Sequence, residues 1–182
     1  MKPKTNKKEI FPVILEPLSL NHKTARLEAV TESMSELSAI FSWCCEGYTP
    51  NSNLARIEDC IWYRQSGCEY YFAIVEADTR NFVGEIAIDE IYDVEQSGNI
   101  MYWVRSDYKG RGYAPLAVLE LARFGFRELP LVELKIKVAT DNQPSIRVAE
   151  KVGAKFEMLI PDYEQSNGQI SDIYCYSIGE KK

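Results

Sequence analysis

Residues 102–114 read YWVRSDYKGRGYA, in which an apolar, strand-like run leads into a loop with two glycines and then into a helical pattern. Glycines let backbone N–H groups approach a ligand closely, and the start of a helix adds unpaired donors and partial positive charge. Such a loop is typical of a pyrophosphate cradle, to which Lys109 and Arg111 add cationic side chains. Spacing alone leaves open an ordinary glycine turn before a helix. A dinucleotide fingerprint fits poorly, because its third glycine would fall at Pro115.

The hydrophobic pattern on either side of this loop predicts an α+β domain. Alternation with a period of two predicts an antiparallel meander of three strands before the loop, and a period near 3.6 predicts a helix after it. The predicted strands are 25–30, 70–76, 82–90, 99–104, 132–139, 155–159 and 173–178, and the predicted helices are 54–65, 113–127, 144–152 and one after residue 33 that carries Met34, Leu37, Phe41 and Cys44. No linker divides the chain, so we expect a single domain at 24–182 after a basic arm and lead-in at 1–23.

Composition restricts the class of partner. The 182 residues include 21 Lys and Arg against 27 Asp and Glu, for a net charge of −6. Because residues 1–8 hold four lysines and no acid, the rest of the chain carries −10, which argues against nucleic acid as a partner. No apolar run could span a bilayer, no cluster of ligands predicts a metal, and five cysteines without a C-x-x-C motif fit reduced thiols in a cytoplasmic protein.

Several motifs in order resemble the GNAT acetyltransferase superfamily, in its RimJ/RimL-like branch. KGRGYA at 109–114 resembles the Q/R-x-x-G-x-G/A loop, with lysine where glutamine or arginine is usual. NQPS at 142–145 and EKVGA at 150–154 resemble the N-x-x-S and E-K-x-G-F/A segments. NIMYWV at 99–104 resembles the strand E-I-G-Y-W-V, and ARL at 25–27 resembles an opening T-x-R-L strand. The resemblance covers about 24 to 178.

The resemblance implies a central, mostly antiparallel mixed sheet that is splayed at an acetyl-CoA site and flanked by helices. It implies acetyl-CoA as co-substrate, with an acetyl group passed directly to a primary amine of a protein N-terminus or a small molecule. The backbone of two strand residues would pair with the pantetheine arm, loop N–H groups would hold the pyrophosphate, and an asparagine would bond the arm. These residues are Trp103, Val104, Lys109, Gly110, Arg111, Gly112, Tyr113, Ala114 and Asn142. The resemblance is also compatible with a homodimer.

The proton-transfer residues that are most common in this family are missing. The usual strand glutamate falls at Asn99, the alternative base falls at Lys137, and the usual tyrosine acid falls at Ala149. None of these side chains can take the matching role. Glu85 and Asp89 are fallback bases, because they line the predicted sheet near the cofactor.

The RimL-like pattern offers another acid and base. It places a serine acid at Ser145 and a glutamate base at Glu164. Two alternatives stay open: Ser145 as a residue that stabilises the start of a helix, and Glu164 as a solvated loop carboxylate. Because the common bases are missing, a non-catalytic acyl-CoA-binding module for regulation or assembly is the alternative function.

Overall fold

The computed structural model describes residues 12–165 and 167–179 and is built around one seven-stranded sheet. The strands are β1 (Val13–Pro17), β2 (Tyr70–Glu76), β3 (Phe82–Tyr92), β4 (Ser97–Val104), β5 (Glu133–Ala139), β6 (Lys155–Glu164) and β7 (Ile170–Gly179). The helices are α1 (Lys23–Glu32), α2 (Met34–Leu37), α3 (Pro50–Ser66), α4 (Tyr113–Glu128) and α5 (Gln143–Lys151), with short 3₁₀ turns at Leu20–His22 and Ser106–Tyr108. The strand order is β1-β2-β3-β4-β5-β7-β6.

Both faces of the sheet are packed against helices. On one face, which we call the α4 face, α4 and α5 bury apolar residues that include Ile86, Leu121 and Leu134. On the other, the α1 face, α1 and α3 cover the side of β2–β4 that carries Ala87 and Trp103. Because successive strand residues point to opposite faces, the odd residues of β3 from 85 to 89 lie on the α1 face.

Pairing within the sheet is antiparallel except between β4 and β5, which run parallel. This architecture confirms the α+β class and the mostly antiparallel mixed sheet. The meander, the helix after the glycine loop and the closing hairpin are also confirmed, although β3 and both strands of the hairpin are longer than predicted.

The predicted strand at 25–30 is wrong, because these residues lie in α1. The buried side chains of α1 are Arg26, Ala29 and Val30, which follow the i, i+3, i+4 spacing of a helix. The sheet instead begins earlier, at β1, which lies within the range assigned to the lead-in and pairs with β2. The opening strand that the resemblance placed at 25–27 is corrected in the same way. The lysine-rich residues 1–8 lie outside the described residues.

The helix predicted after residue 33 is confined to the short α2. Leu37, Phe41 and Cys44 are buried as its apolar stripe requires, but turns, and not a continuous helix, bring them to the core. All five cysteines are free thiols. Over residues 12–165 and 167–179, we find neither a helix long and apolar enough to cross a membrane nor a group of three His, Cys, Asp or Glu side chains that could hold a metal ion.

Candidate active site

A cleft opens between the two parallel strands of the sheet. β4 and β5 pair only at Ser97 with Glu133, Gly98 with Leu134, and Asn99 with Lys135. Beyond that point β4 stays bonded to β3 up to Val104, and β5 stays bonded to β7 up to Ala139. Their facing edges therefore offer backbone N–H and C=O groups to an extended ligand, which can add as a further strand. We call this opening the β4–β5 cleft and the Asn99–Lys135 pair its apex.

The wide end of the cleft leads into the glycine loop and the N-terminus of α4. Gly112 is the N-cap of α4 with a φ of 94° and no side-chain cap, and Gly110 has a φ of 73°. The first N–H groups of the helix are therefore available to an anion. A Cβ placed on Gly112 would lie 4.0 Å from Lys151 Nζ, so α5 adds a cation beside the loop. Lys151 is part of the EKVGA segment at 150–154, but the sequence analysis did not assign it to the site.

The two loop cations have partners within the chain. The ammonium group of Lys109 forms an ion pair with Glu36 of α2, and the guanidinium group of Arg111 lies 5.2 Å from the ring centroid of Tyr108. Lys109 is the main cause of the lowered pKa of Glu36. A bound phosphate would therefore compete with Glu36 for Lys109. Arg111 forms no ion pair among the described residues, and its charge acts on Glu76 without a direct bond.

Two of the predicted cofactor residues use their side chains inside the fold. The hydroxyl group of Tyr113 is buried and donates to the carboxylate of Glu76. Asn142 is the N-cap of α5, and its Oδ1 accepts from the backbone N–H of Ser145 at 3.2 Å. A contact between the backbone N–H of Tyr113 and a ligand stays a prediction. A contact between Asn142 and the cofactor arm stays a prediction.

Ser145 and Tyr102 face each other across the cleft on the α4 face. Tyr102 belongs to β4 and Ser145 to the first turn of α5, which follows β5. Burial raises the pKa of Tyr102, whereas the adjacent Ser145 side chain lowers it. The Tyr102 hydroxyl oxygen is buried and makes no hydrogen bond of standard geometry among the described residues. Sequence reasoning missed Tyr102, because it assigned no role to this residue of the NIMYWV strand at 99–104.

Glu164 lies toward the tip of the β6–β7 hairpin. It is exposed and pairs with Ile170, whereas the ladder of β5 with β7 ends at Ala139 and Ile173. At about 3.3 Å per residue, Glu164 lies roughly 10 Å beyond the end of β5 along the strand direction. Within the described ranges no hydrogen bond or ion pair joins Glu164 to Ser145, so their joint role stays a prediction.

Glu85 is held in a buried ion pair. Arg26 Nε donates to Glu85 Oε2 at 2.7 Å, and neither side chain is exposed. Arg26 Nη1 also donates to Tyr48 at 2.6 Å and to Asn53 at 2.7 Å. A carboxylate that is enclosed and paired in this way stabilises the packing of α1 and α3 on the sheet and is out of reach of an acceptor.

Asp89, the other fallback base, lies beside the apex of the cleft. It pairs with Asn99 in the β3–β4 ladder, and Asn99 Nδ2 donates to Asp89 Oδ1 at 2.8 Å. Burial raises the pKa of Asp89 to about 6, against the opposing effect of the Asn99 hydrogen bond. The charges of Glu90 and Glu69 raise this pKa further, and that of Lys137 lowers it. Asp89 is thus partly buried, ionised at neutral pH and close to where β4 and β5 separate.

Known proteins share this sequence pattern. The family model described as an acetyltransferase (GNAT) domain matches residues 13–155. An uncharacterized N-acetyltransferase, p20, of Bacillus licheniformis is 30% identical over 107 residues, which are 59% of this chain and 60% of p20. The ribosomal-protein-serine acetyltransferase of Escherichia coli K12 is 21% identical over 163 residues, 90% of each protein. The chain thus spans less than two thirds of the length of p20.

The fold is shared as well. The microcin C7 self-immunity acetyltransferase MccE, solved in complex with acetyl-CoA and AMP, superposes with a TM-score of 0.85 at 18% identity and covers 98% of each chain. The match therefore confirms the GNAT-like fold that the motifs implied. The family match at 13–155 includes β1, the β4–β5 cleft, the glycine loop and α5. The chain belongs to the acetyltransferase (GNAT) family.

Proposed function

We propose that this protein is an acetyl-CoA-dependent N-acetyltransferase that passes the acetyl group directly to a primary amine. The observation that carries the proposal is the β4–β5 cleft, which is open on both backbone edges and ends at the uncapped N-terminus of α4. The acetyl-CoA in the MccE complex and the N-acetyltransferase names of the relatives support it. They do not favour the alternative, a non-catalytic acyl-CoA-binding module.

The chain's own groups fit each part of acetyl-CoA. The free backbone edge of β4 at Trp103 and Val104 would pair with the amides of the pantetheine arm. The N–H groups of residues 109–114 would receive the pyrophosphate, and Arg111 and Lys151 would neutralise its charge. When bound, acetyl-CoA supplies the activated thioester. Ser145, beside Tyr102, is proposed to donate a proton to the departing sulfur.

The proposed acceptor is the α-amine of a protein N-terminus. The name of the E. coli relative, a ribosomal-protein-serine acetyltransferase, supports this class of substrate, and a body with a charge of −10 outside residues 1–8 favours a cationic acceptor. We also propose that residues 24–182 form a single acetyltransferase domain, to which β1 adds a strand. A homodimer is proposed as its assembly.

Thiol release tests this function directly. The protein is incubated with acetyl-CoA and a panel of peptides with free N-terminal Ser, Ala or Met and of small polyamines, and free CoA is followed with a thiol reagent. We expect release that depends on one class of acceptor, and a rise in melting temperature with either acetyl-CoA or CoA. A melting shift without thiol release from any acceptor would favour the non-catalytic module. No shift with either ligand would contradict the proposed site.

Charge substitutions around the loop should change CoA affinity in a stated order. Arg111→Ala is expected to raise the Kd for CoA about 10-fold, because it removes a charge-assisted hydrogen bond worth about 1.5 kcal/mol. Lys109→Ala should have a smaller effect, since Glu36 competes for this ammonium group. Glu36→Gln should tighten binding by about 2- to 5-fold, a typical value for an exposed ion pair.

Isothermal titration with CoA at two salt concentrations measures these effects. Lys155→Ala is the matched control, because Lys155 is an exposed cation on β6 and should leave the Kd unchanged. A larger loss for Lys109→Ala than for Arg111→Ala would contradict the ordering. An unchanged Kd in both variants would show that the phosphates of CoA do not bind at this loop.

A further inference from the structure

We propose that Asp89 is the general base of the reaction and takes a proton from the acceptor amine at the apex of the β4–β5 cleft, an inference that rests on the proposed function. Asp89 pairs with Asn99 across β3 and β4, and Asn99 forms the last pair of β4 with β5. Adjacent strands lie about 4.8 Å apart. The carboxylate therefore lies one strand from the point where the cleft opens.

The side chain of Asp89 lies on the face from which an acceptor can approach. It follows Glu85 and Ala87 in alternation and so belongs to the α1 face, where the helices pack mainly on β2 and β3. Next to it on this face, Lys135 and Lys137 of β5 are only half-buried. Asp89 itself is also only partly buried, in contrast to the fully enclosed Glu85.

The neighbouring Asn99 leaves a second acceptor without a donor. Its Nδ2 donates to Asp89, whereas its Oδ1 is buried and has no hydrogen-bond partner among the described residues. A buried polar atom without a partner is costly and uncommon. An ammonium group has three N–H donors, so an acceptor amine bound between the two side chains would bond the carboxylate and satisfy Asn99 Oδ1.

The charges around Asp89 suit a base at neutral pH. It is faced by Glu90 from its own strand, by Glu69 from the residues before β2, and by Lys137 from β5. With a pKa of about 6, Asp89 is ionised at pH 7.5. An N-terminal amine has a pKa near 8. Its pKa therefore exceeds that of Asp89 by about 2, whereas it exceeds that of an ordinary aspartate by about 4, so proton transfer to Asp89 is the less unfavourable of the two.

The step conserves protons and electron pairs. The bound ammonium gives one proton to the Asp89 carboxylate, and the lone pair that this frees on nitrogen forms the C–N bond. The C–S bond breaks, its electron pair stays on sulfur, and the thiolate takes a proton from Ser145. The nitrogen loses a second proton as the amide forms, and this proton replaces the one that Ser145 gave up. Asp89 returns its proton to water, so the turnover releases amide, CoA thiol and one net proton.

Steady-state kinetics against pH tests the assignment. The probes are acetyl-CoA and a peptide with a free N-terminal serine, or whichever panel acceptor reacts fastest. Asp89→Asn is expected to lower kcat/KM at least 100-fold, in the range of general-base catalysis. It should also abolish the acid limb of the pH profile, which is the decrease of kcat/KM below about pH 6 that protonation of Asp89 causes in the wild type. Asp89→Glu should restore part of the rate, and Glu164→Gln should keep the limb.

Melting temperature distinguishes a base from a structural carboxylate. Because the pKa of Asp89 is raised on folding, its ionisation opposes folding, and the stability present at low pH is lost as the pH rises towards about 6. Asp89→Asn should therefore melt at the same or a higher temperature than the wild type at pH 7.5, with CoA binding unchanged. A structural role would lower the melting temperature.

The outcomes distinguish a failure of the proposed function from a failure of the Asp89 assignment alone. If the wild-type chain releases no thiol with any acceptor, the proposed function fails and this inference fails with it. If the wild type is active but Asp89→Asn retains both its rate and its acid limb, Asp89 is not the base. Loss of the acid limb in Glu164→Gln alone would assign the base to Glu164.

Discussion

Replacing Arg26 with methionine is expected to lower the free energy of unfolding by about 3–5 kcal/mol, because it leaves a buried carboxylate without its partner. Arg26 and Glu85 are fully buried and joined by a 2.7 Å hydrogen bond. The substitution also removes the donors to Tyr48 and Asn53. Methionine is apolar and flexible enough to occupy much of the space that the aliphatic stem of arginine fills. The expected loss therefore comes mainly from the uncompensated charge.

Urea unfolding, with the midpoint and slope compared to those of the wild type, measures this loss. The matched control is Arg80→Met, which breaks a half-exposed ion pair with Glu16 and should cost at most about 1 kcal/mol. The double variant Arg26→Met with Glu85→Leu should recover most of the stability, because removing both charges removes the desolvation cost. A loss below about 1 kcal/mol in Arg26→Met would show that water reaches Glu85.

The local parts of the fold could be predicted from the sequence, and α1 shows where prediction failed. β2, β3 and β4 are runs of 7, 11 and 8 residues rich in β-branched and aromatic side chains, and turn residues separate them, so the sequence favoured strands there. In α1 one of the three buried residues is Arg26. A pattern that counts arginine as polar hides the helical stripe, and the remaining alternation then resembles a short strand. The burial of Arg26 depends on partners that are distant in sequence, above all Glu85, 59 residues away.

The site was predictable to the same extent. The glycine loop could be predicted locally, because neighbouring residues contain both the glycines that allow a positive φ and the pattern of a helix start. The β4–β5 cleft is not local, since it depends on a ladder that stops after Asn99 and Lys135. The place of Asp89 beside Asn99 follows from the register of β3 with β4. Sequence reasoning could name Asp89 only as a fallback, because register across a turn is set by packing.

Replacing Gly84 with alanine is expected to destabilise the fold and also to weaken the proposed binding of the cofactor's pantetheine arm. Gly84 pairs with Val104 at the end of β4. A Cβ on Gly84 would overlap the carbonyl oxygen of Trp103 and lie 3.0 Å from the Cα of Val104. Both are backbone atoms, so no side-chain rotation can relieve the overlap, and the strands must separate. We expect a loss of about 3 kcal/mol, at the upper end of the cost of overpacking a core.

The displaced segment is the one proposed to pair with pantetheine, so Gly84→Ala should also weaken CoA binding, by about 10-fold for each 1.4 kcal/mol of lost contact. Gly179→Ala is the control: Gly179 ends β7, and no atom of the described residues lies within 4 Å of its added Cβ, so stability should change by at most about 0.5 kcal/mol. Urea unfolding and CoA titration measure both variants. Reduced stability with unchanged CoA affinity would mean that the strands yield on the β3 side and leave β4 in place. Losses in both would show that the close approach of β3 to β4 sets the position of the backbone edge along which the cofactor binds.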